Sequence, residues 1–268
     1  MAALDALARW PVGVAAGGVV DATGEREATG PVDEPLAWAS VTKLLTALAV
    51  LVAVEEGTVG LDDLAGPPGA TVRHLLAHAA GLGPDGAVLA PPATRRIYSN
   101  AGYEVLAGVV GEAAGLPFTT YLDEAVLKPL DLPDTTLEGS PAAGAAGPAA
   151  DLLRLGRELL AATVVAPATL AEATAVAFPG LVGVLPGFGR QDPNDWGLGP
   201  ELRGHKAPHW TGSRNSPRSF GHFGQAGGFL WVDPEAGLAC ACLTDRPFGP
   251  WAAEAWPALA DEVLASDR

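Results

Sequence analysis

Lysine is nearly missing from this chain. There are three in 268 residues, against 31 acidic side chains and a formal net charge of −15. No stretch concentrates basic residues. Nucleic acids are gripped by clustered positive charge, so the composition argues against nucleic-acid binding. Adhesion to an anionic membrane is disfavoured on the same ground. The first residues, Met-Ala-Ala-Leu-Asp-Ala-Leu-Ala-Arg, lack a positive segment followed by an apolar core and a cleavage site. The apolar run from Leu44 to Val54 is too short to span a bilayer and ends in Glu55-Glu56. A cytoplasmic protein is expected.

Cysteine is scarce too. Cys240 and Cys242 alternate along an apparent strand, so they share a face and are too close for an ordinary bridge. Two thiols supply too few ligands for a metal, and buried reduced thiols are expected. What the chain has in quantity is apolar residue, 49%, with only 18% charged. That is a globular composition, and the length suits one large domain or two lobes sharing a core.

Val12 to Thr29 carries β-branched runs broken at Asp21-Ala-Thr-Gly24 and reads as a hairpin. Ser40 to Glu56 reads as a helix, apolar nearly all round and therefore buried between layers, with Gly57 ending it. Further helices are expected at Thr71–His78, Ala101–Ala114, Thr119–Val126 and Asp151–Ala162. The Ala/Gly/Pro stretch Ser140–Ala150 reads as a flexible linker. Val176–Ser219 is rich in Gly and Pro and reads as loops and short strands. Phe229–Val232 and Leu238–Leu243 read as strands around the turn Asp233-Pro-Glu-Ala-Gly237, and Trp251–Leu264 as a closing helix. Strands at both ends with helices between them predict an α/β (α+β) fold. An antiparallel sheet from both chain ends is flanked by helices, and a helical lobe at approximately 61–165 is inserted between residues 1–60 and 166–268.

One of the three lysines follows a serine at helical spacing. In Ser40-Val-Thr-Lys43 the hydroxyl and the amine share a face at the start of the apolar helix. Backbone N–H groups at a helix start favour developing negative charge, and a serine needs such help to become a nucleophile. Two other motifs stand apart. Tyr98-Ser-Asn100 precedes a helix; a cap explains Ser99 or Asn100 but not Tyr98. His222-Phe-Gly224 precedes the strand at Phe229, among Gly221, Gly227 and Gly228, which permit close backbone approach to a ligand.

Together these three motifs resemble those of the serine hydrolases related to class C β-lactamases, a family that includes penicillin-binding D,D-peptidases and an esterase branch. Flanking segments add to the resemblance: His74-Leu-Leu-Ala-His-Ala-Ala-Gly-Leu82, Tyr98-Ser-Asn-Ala-Gly-Tyr103 and Lys128-Pro-Leu-Asp-Leu-Pro-Asp-Thr-Thr136. It extends from about Val12 to the last helix.

The resemblance implies an acyl-enzyme on Ser40, assisted by Lys43 and Tyr98, either of which could take its proton. It implies that Asn100 orients substrate and lysine. It places an oxyanion hole at the backbone N–H groups of Ser40 and of Gln225, just after Gly224. His222 departs from the lysine that many relatives carry. A permanent cation there holds a substrate carboxylate, whereas histidine is mostly neutral near pH 7. The implied substrate is a small ester or amide without an essential carboxylate, in the manner of the esterase branch. A β-lactamase or D,D-peptidase is the alternative, and a penicillin-binding-like sensing or scaffold module with little turnover is another. No metal or organic cofactor is called for.

Other residues carry weaker signals. His74 and His78 share a helix face but lack the Glu of a His-Glu-x-x-His zinc pattern. His205 and His209 fall in the loop region before the third motif and could line the pocket. Trp196, Trp210 and Trp231 could form an aromatic acyl pocket, although tryptophan is more often core.

Overall fold

The computed structural model describes residues 3–266. In chain order the elements are β1 (Ala15–Asp21), β2 (Gly24–Thr29), β3 (Leu36–Ala37), α1 (Thr42–Glu55), α2 (Val72–Leu76), α3 (Asn100–Ala114), α4 (Phe118–Leu122), β4 (Thr136–Leu137), β5 (Ala145–Gly147), α5 (Ala149–Leu160), α6 (Pro167–Ala173), β6 (Gly183–Leu185), β7 (Gly189–Gln191), β8 (Glu201–Leu202), β9 (Phe220–Gly224), β10 (Gly228–Asp233), β11 (Leu238–Thr244) and α7 (Pro250–Ser266). Six strands form one antiparallel sheet in the order β2-β1-β11-β10-β9-β8. Both chain ends therefore supply the sheet.

Strand β11 shows why the sheet lies between two layers. Its residues alternate between two apolar clusters: Leu238, Cys240 and Cys242 belong to one, and Ala239, Ala241 and Leu243 to the other. The first is closed by α7, through Trp256, Leu259 and Val263. The second is closed by α1 and α5. A strand covered on both faces has no need for polar alternation. The free thiols of Cys240 and Cys242 share a face, as their spacing predicts, and burial raises the Cys242 thiol's pKa. The glycines of β1 permit this close packing. A Cβ at Gly17 would come within 2.4 Å of Cys242 Sγ, and one at Gly18 within 2.6 Å of a Leu153 methyl.

Helix α1 is buried from Thr42 to Ala53 and packs against α3, α4 and β9. It is the hub on which helices and sheet meet, as its unbroken apolar sequence implies. Four expectations need correction. Ser40 lies on a single 3-10 turn, Ala39–Val41, ahead of α1 rather than inside it. The stretch read as a flexible linker is built into the fold: β5 pairs with both β3 and β4, and Ala142 is fully buried. Small residues there serve close packing, not freedom. Helix α5, expected within the inserted lobe, lies on the sheet against β1, β10 and β11, with Gly156 over Leu230 and Ala239. His222 precedes the strand at Phe229 as expected, but itself lies in β9, a strand the sequence did not mark.

Candidate active site

The turn that carries Ser40 holds a backbone conformation it would not adopt freely. Ala39 has φ of 45°, a left-handed setting unusual for a residue with a Cβ. Its neighbours clamp it. Trp38 is buried, its indole N–H donates to Gly147 O at 3.0 Å, and its backbone N–H donates to Ala145 O at 2.9 Å. Thr42 Oγ1 donates to Ala39 O at 2.6 Å and accepts from Ala145 N at 3.0 Å. The turn thereby presents Ser40 to a cavity of about 130 Å³ whose wall also contains Tyr98, Asn100, Trp196, His222 and Gln225.

Gly224 ends β9 hard against this turn. A Cβ there would lie 2.3 Å from Trp38 O and 3.3 Å from Ser40 N. Only glycine lets the strand end come so close, and Gln225 follows it onto the cavity rim with Ser40.

Lys43 is completely buried. Its Nζ donates to Asn100 Oδ1 at 2.7 Å and to Ala142 O at 2.9 Å, and stands 4.7 Å from the Tyr98 ring centre. Burial lowers its pKa to about 7, opposed only by the Glu104 carboxylate. A neutral amine has two N–H donors and one lone pair. Both donors are engaged here, which leaves the lone pair free to accept a proton.

Burial raises the Tyr98 phenol's pKa well above its usual range, and the neighbouring Ser40 side chain only partly opposes that shift. Its other neighbour is His222 Nε2, at 3.5 Å. His222 Nδ1 lies 2.7 Å from Phe223 O. A carbonyl only accepts, so Nδ1 carries the proton and Nε2 presents a lone pair to Tyr98. Burial, helped by the Lys43 charge, lowers the His222 pKa to about 3. The third motif therefore contributes an acceptor and no positive charge.

Two motif residues divide their work differently from their spacing alone. Ser99 is the cap of α3, accepting from Gly102 N at 3.0 Å and donating to Gly83 O at 2.8 Å. That leaves the Asn100 side chain for Lys43. His78 leaves α2 at φ of 53°, accepts the Ser99 N–H at 3.2 Å, and packs its ring 4.6 Å from Tyr98 and 4.9 Å from Trp196. It shapes the wall behind Tyr98. His74 turns away to bond Thr71 and stack on Phe178.

All seven residues singled out by sequence, Ser40, Lys43, Tyr98, Asn100, His222, Gly224 and Gln225, converge here. Other candidates do not. Trp196 lines the cavity, but Trp210 and Trp231 lie in the core under α7. His205 is exposed, and His209 is buried 2.9 Å from Glu201 Oε2. Three participants escaped notice. The Ala142 carbonyl carries no sequence signal. Glu104 stands one turn beyond Asn100 on α3, a spacing that could have marked it. Glu201 lines the cavity floor, with its carboxylate bonded to Lys206, His209 and Trp210.

The chain is similar to known proteins. The Beta-lactamase family model matches residues 1–265. Among solved structures, a beta-lactamase (Mb2281c) from Mycobacterium bovis is 53% identical, with a TM-score of 0.98 over 99% of both chains. EstCE1, a hydrolase with promiscuous acyltransferase activity, shares the fold at 19% identity, with a TM-score of 0.81 over 98% of this chain and 96% of its own. The D-alanyl-D-alanine-carboxypeptidase/endopeptidase AmpH of Escherichia coli (strain K12) is 29% identical, in a match covering 41% of this chain and 38% of AmpH. The match thus spans about two fifths of that curated relative's length. With the family's signature spanning nearly the whole chain, this protein belongs to the beta-lactamase family of serine hydrolases.

Proposed function

We propose that the protein is an esterase-like serine hydrolase, cleaving a small ester or amide through an acyl-enzyme on Ser40. The observation that carries this reading is His222, locked as a neutral acceptor where a carboxylate-binding cation would stand. A substrate whose recognition depends on a carboxylate at that point gains nothing from it.

The steps follow from the side chains. Ser40 Oγ attacks the carbonyl carbon, and its proton passes to Lys43 Nζ, directly or through the Tyr98 hydroxyl. Lys43 is the better base, because its pKa of about 7 leaves a neutral fraction at physiological pH, whereas buried Tyr98 resists ionisation. The backbone N–H groups of Ser40 and Gln225 are the donors offered to the tetrahedral oxygen, each worth about 3 kcal/mol in such sites. Collapse breaks the bond to the leaving group, which takes a proton through Tyr98. Water then repeats the sequence on the acyl-enzyme and frees Ser40.

A second reading, β-lactam or D-Ala-D-Ala cleavage, is favoured by the 53% identical structure described as a beta-lactamase and by the AmpH match. Nitrocefin and p-nitrophenyl butyrate separate the two. Rapid ester turnover without nitrocefin cleavage is expected, and preferential nitrocefin cleavage contradicts the esterase reading. Silence towards both, with tight ligand binding, points to a sensing module. The Ser40→Ala variant is expected to stay folded and lose fluorophosphonate labelling; persistent labelling places the nucleophile elsewhere.

A further inference from the structure

The catalytic cavity is small. At about 30 Å³ for each water in the liquid, its roughly 130 Å³ holds little beyond a reacting ester group. Tyr98 and Pro186 line both this cavity and an adjacent groove of about 510 Å³. The groove is walled by Leu89, Ile97, Val182 and Val184. Leu89 and Val184 are 50% and 59% exposed, and Val88 beside them is 60% exposed. Large apolar side chains left open next to a nucleophile mark a place where a ligand's apolar body lies.

The charge on this groove runs against that of the whole molecule. The chain carries −15, yet the groove wall contains Arg95, Arg96 and Arg190 and no acidic residue. Arg96 is structural: its buried guanidinium donates to Asn194 O at 3.0 Å, Ala77 O at 2.6 Å and Ala177 O at 2.8 Å. Arg95 is exposed, and its guanidinium donates to Leu89 O at 3.0 Å. Arg190 pairs with Asp192 at 3.0 Å, both side chains more than half exposed. Such a surface pair is weak and readily exchanged for another anion.

Resting on the esterase reading above, we propose that the natural substrate is an ester or amide with an apolar body and an anionic group at its far end. The body lies along Leu89, Ile97 and Val184, and the anion is read by Arg95 and Arg190. The negative end of the substrate is thereby recognised at the groove and not at the third motif. Arginine suits this because its planar fork binds carboxylate through paired donors.

Two pairs of esters test the proposal, one for each half of the substrate. Mono-p-nitrophenyl adipate is compared with p-nitrophenyl hexanoate, and 6-acetoxyhexanoate with hexyl acetate. In at least one pair the carboxylated ester is expected to have a kcat/KM at least tenfold higher. The Arg95→Ala/Arg190→Ala variant is expected to remove that advantage while changing the neutral ester less than twofold. Neutral turnover with no carboxylate advantage in either pair overturns this inference and leaves the esterase reading standing. An equal loss on both members of a pair also overturns it. No turnover of any of the four esters overturns both.

Discussion

Lys43 and Lys206 are both fully enclosed amines, and they belong to neighbouring regions of the molecule. Lys43 packs on the Tyr98 ring and Lys206 on the Trp196 ring, and those rings are 5.9 Å apart. Lys206 has three acceptors, Glu201 Oε1, Asp195 O and Leu202 O, one for each ammonium proton. Burial lowers its pKa, and the Glu201 charge opposes that shift. Glu201 is likewise held at about 2: burial works against its ionisation, and His209 and Lys206 outweigh it. Lys43 has two acceptors and no buried carboxylate, so it falls to about 7. The same side chain is a structural cation in one region and a titratable base in the other. The number and charge of its acceptors decide which.

Exchanging each lysine for an isosteric apolar residue sharpens that contrast. Lys43→Met is expected to cut turnover on the order of a thousandfold, within the range for loss of a positioned base. It is also expected to keep or raise Tm. Between the folded pKa of about 7 and the ordinary lysine value of 10.5 the unfolded chain binds the extra proton, so the native amine's penalty is full below about 7 and fades as pH rises. The gain from Lys43→Met is therefore largest at acid pH, and a destabilised Lys43→Met protein would contradict an uncharged, strained amine. Tyr98→Phe removes the relay but leaves the base and is expected to cost about a hundredfold in kcat. A loss as large as that of Lys43→Met would move the base role to the phenol. Glu201→Gln belongs to the other region. It leaves Lys206 buried without its counter-ion and is expected to cost about 3–5 kcal/mol of stability.

Much of this was legible in the sequence, for identifiable reasons. The even apolarity of Leu44–Val54 marked a helix buried on all sides, and the alternation at Cys240 and Cys242 gave the strand's faces. Ser40 and Lys43 are marked by their spacing, and Tyr98 and His222 by motifs that, together with that pair, resemble those of the serine hydrolases related to class C β-lactamases. What stayed hidden is mostly backbone. The carbonyl of Ala142 is half of Lys43's environment, yet an alanine in a Gly/Pro-rich run looks like a linker. Strand β9 was concealed by Gly221 and Gly224, residues that weaken a strand pattern but admit the neighbouring chain. Helix α6 is seven residues long and buries only Ala173, so it carries no apolar stripe to mark it. The Glu201 cluster joins residues whose loops show no period, so its ion pairs exist only in three dimensions.

The central claim is that Lys43 works as an amine poised near neutrality. The pH dependence of kcat/KM on a neutral ester tests it most directly. Activity is expected to rise with pH through an apparent pKa of about 7, as Lys43 loses its proton, and then to hold level. A rate independent of pH through that region, or one that rises only where a phenol ionises, would contradict it.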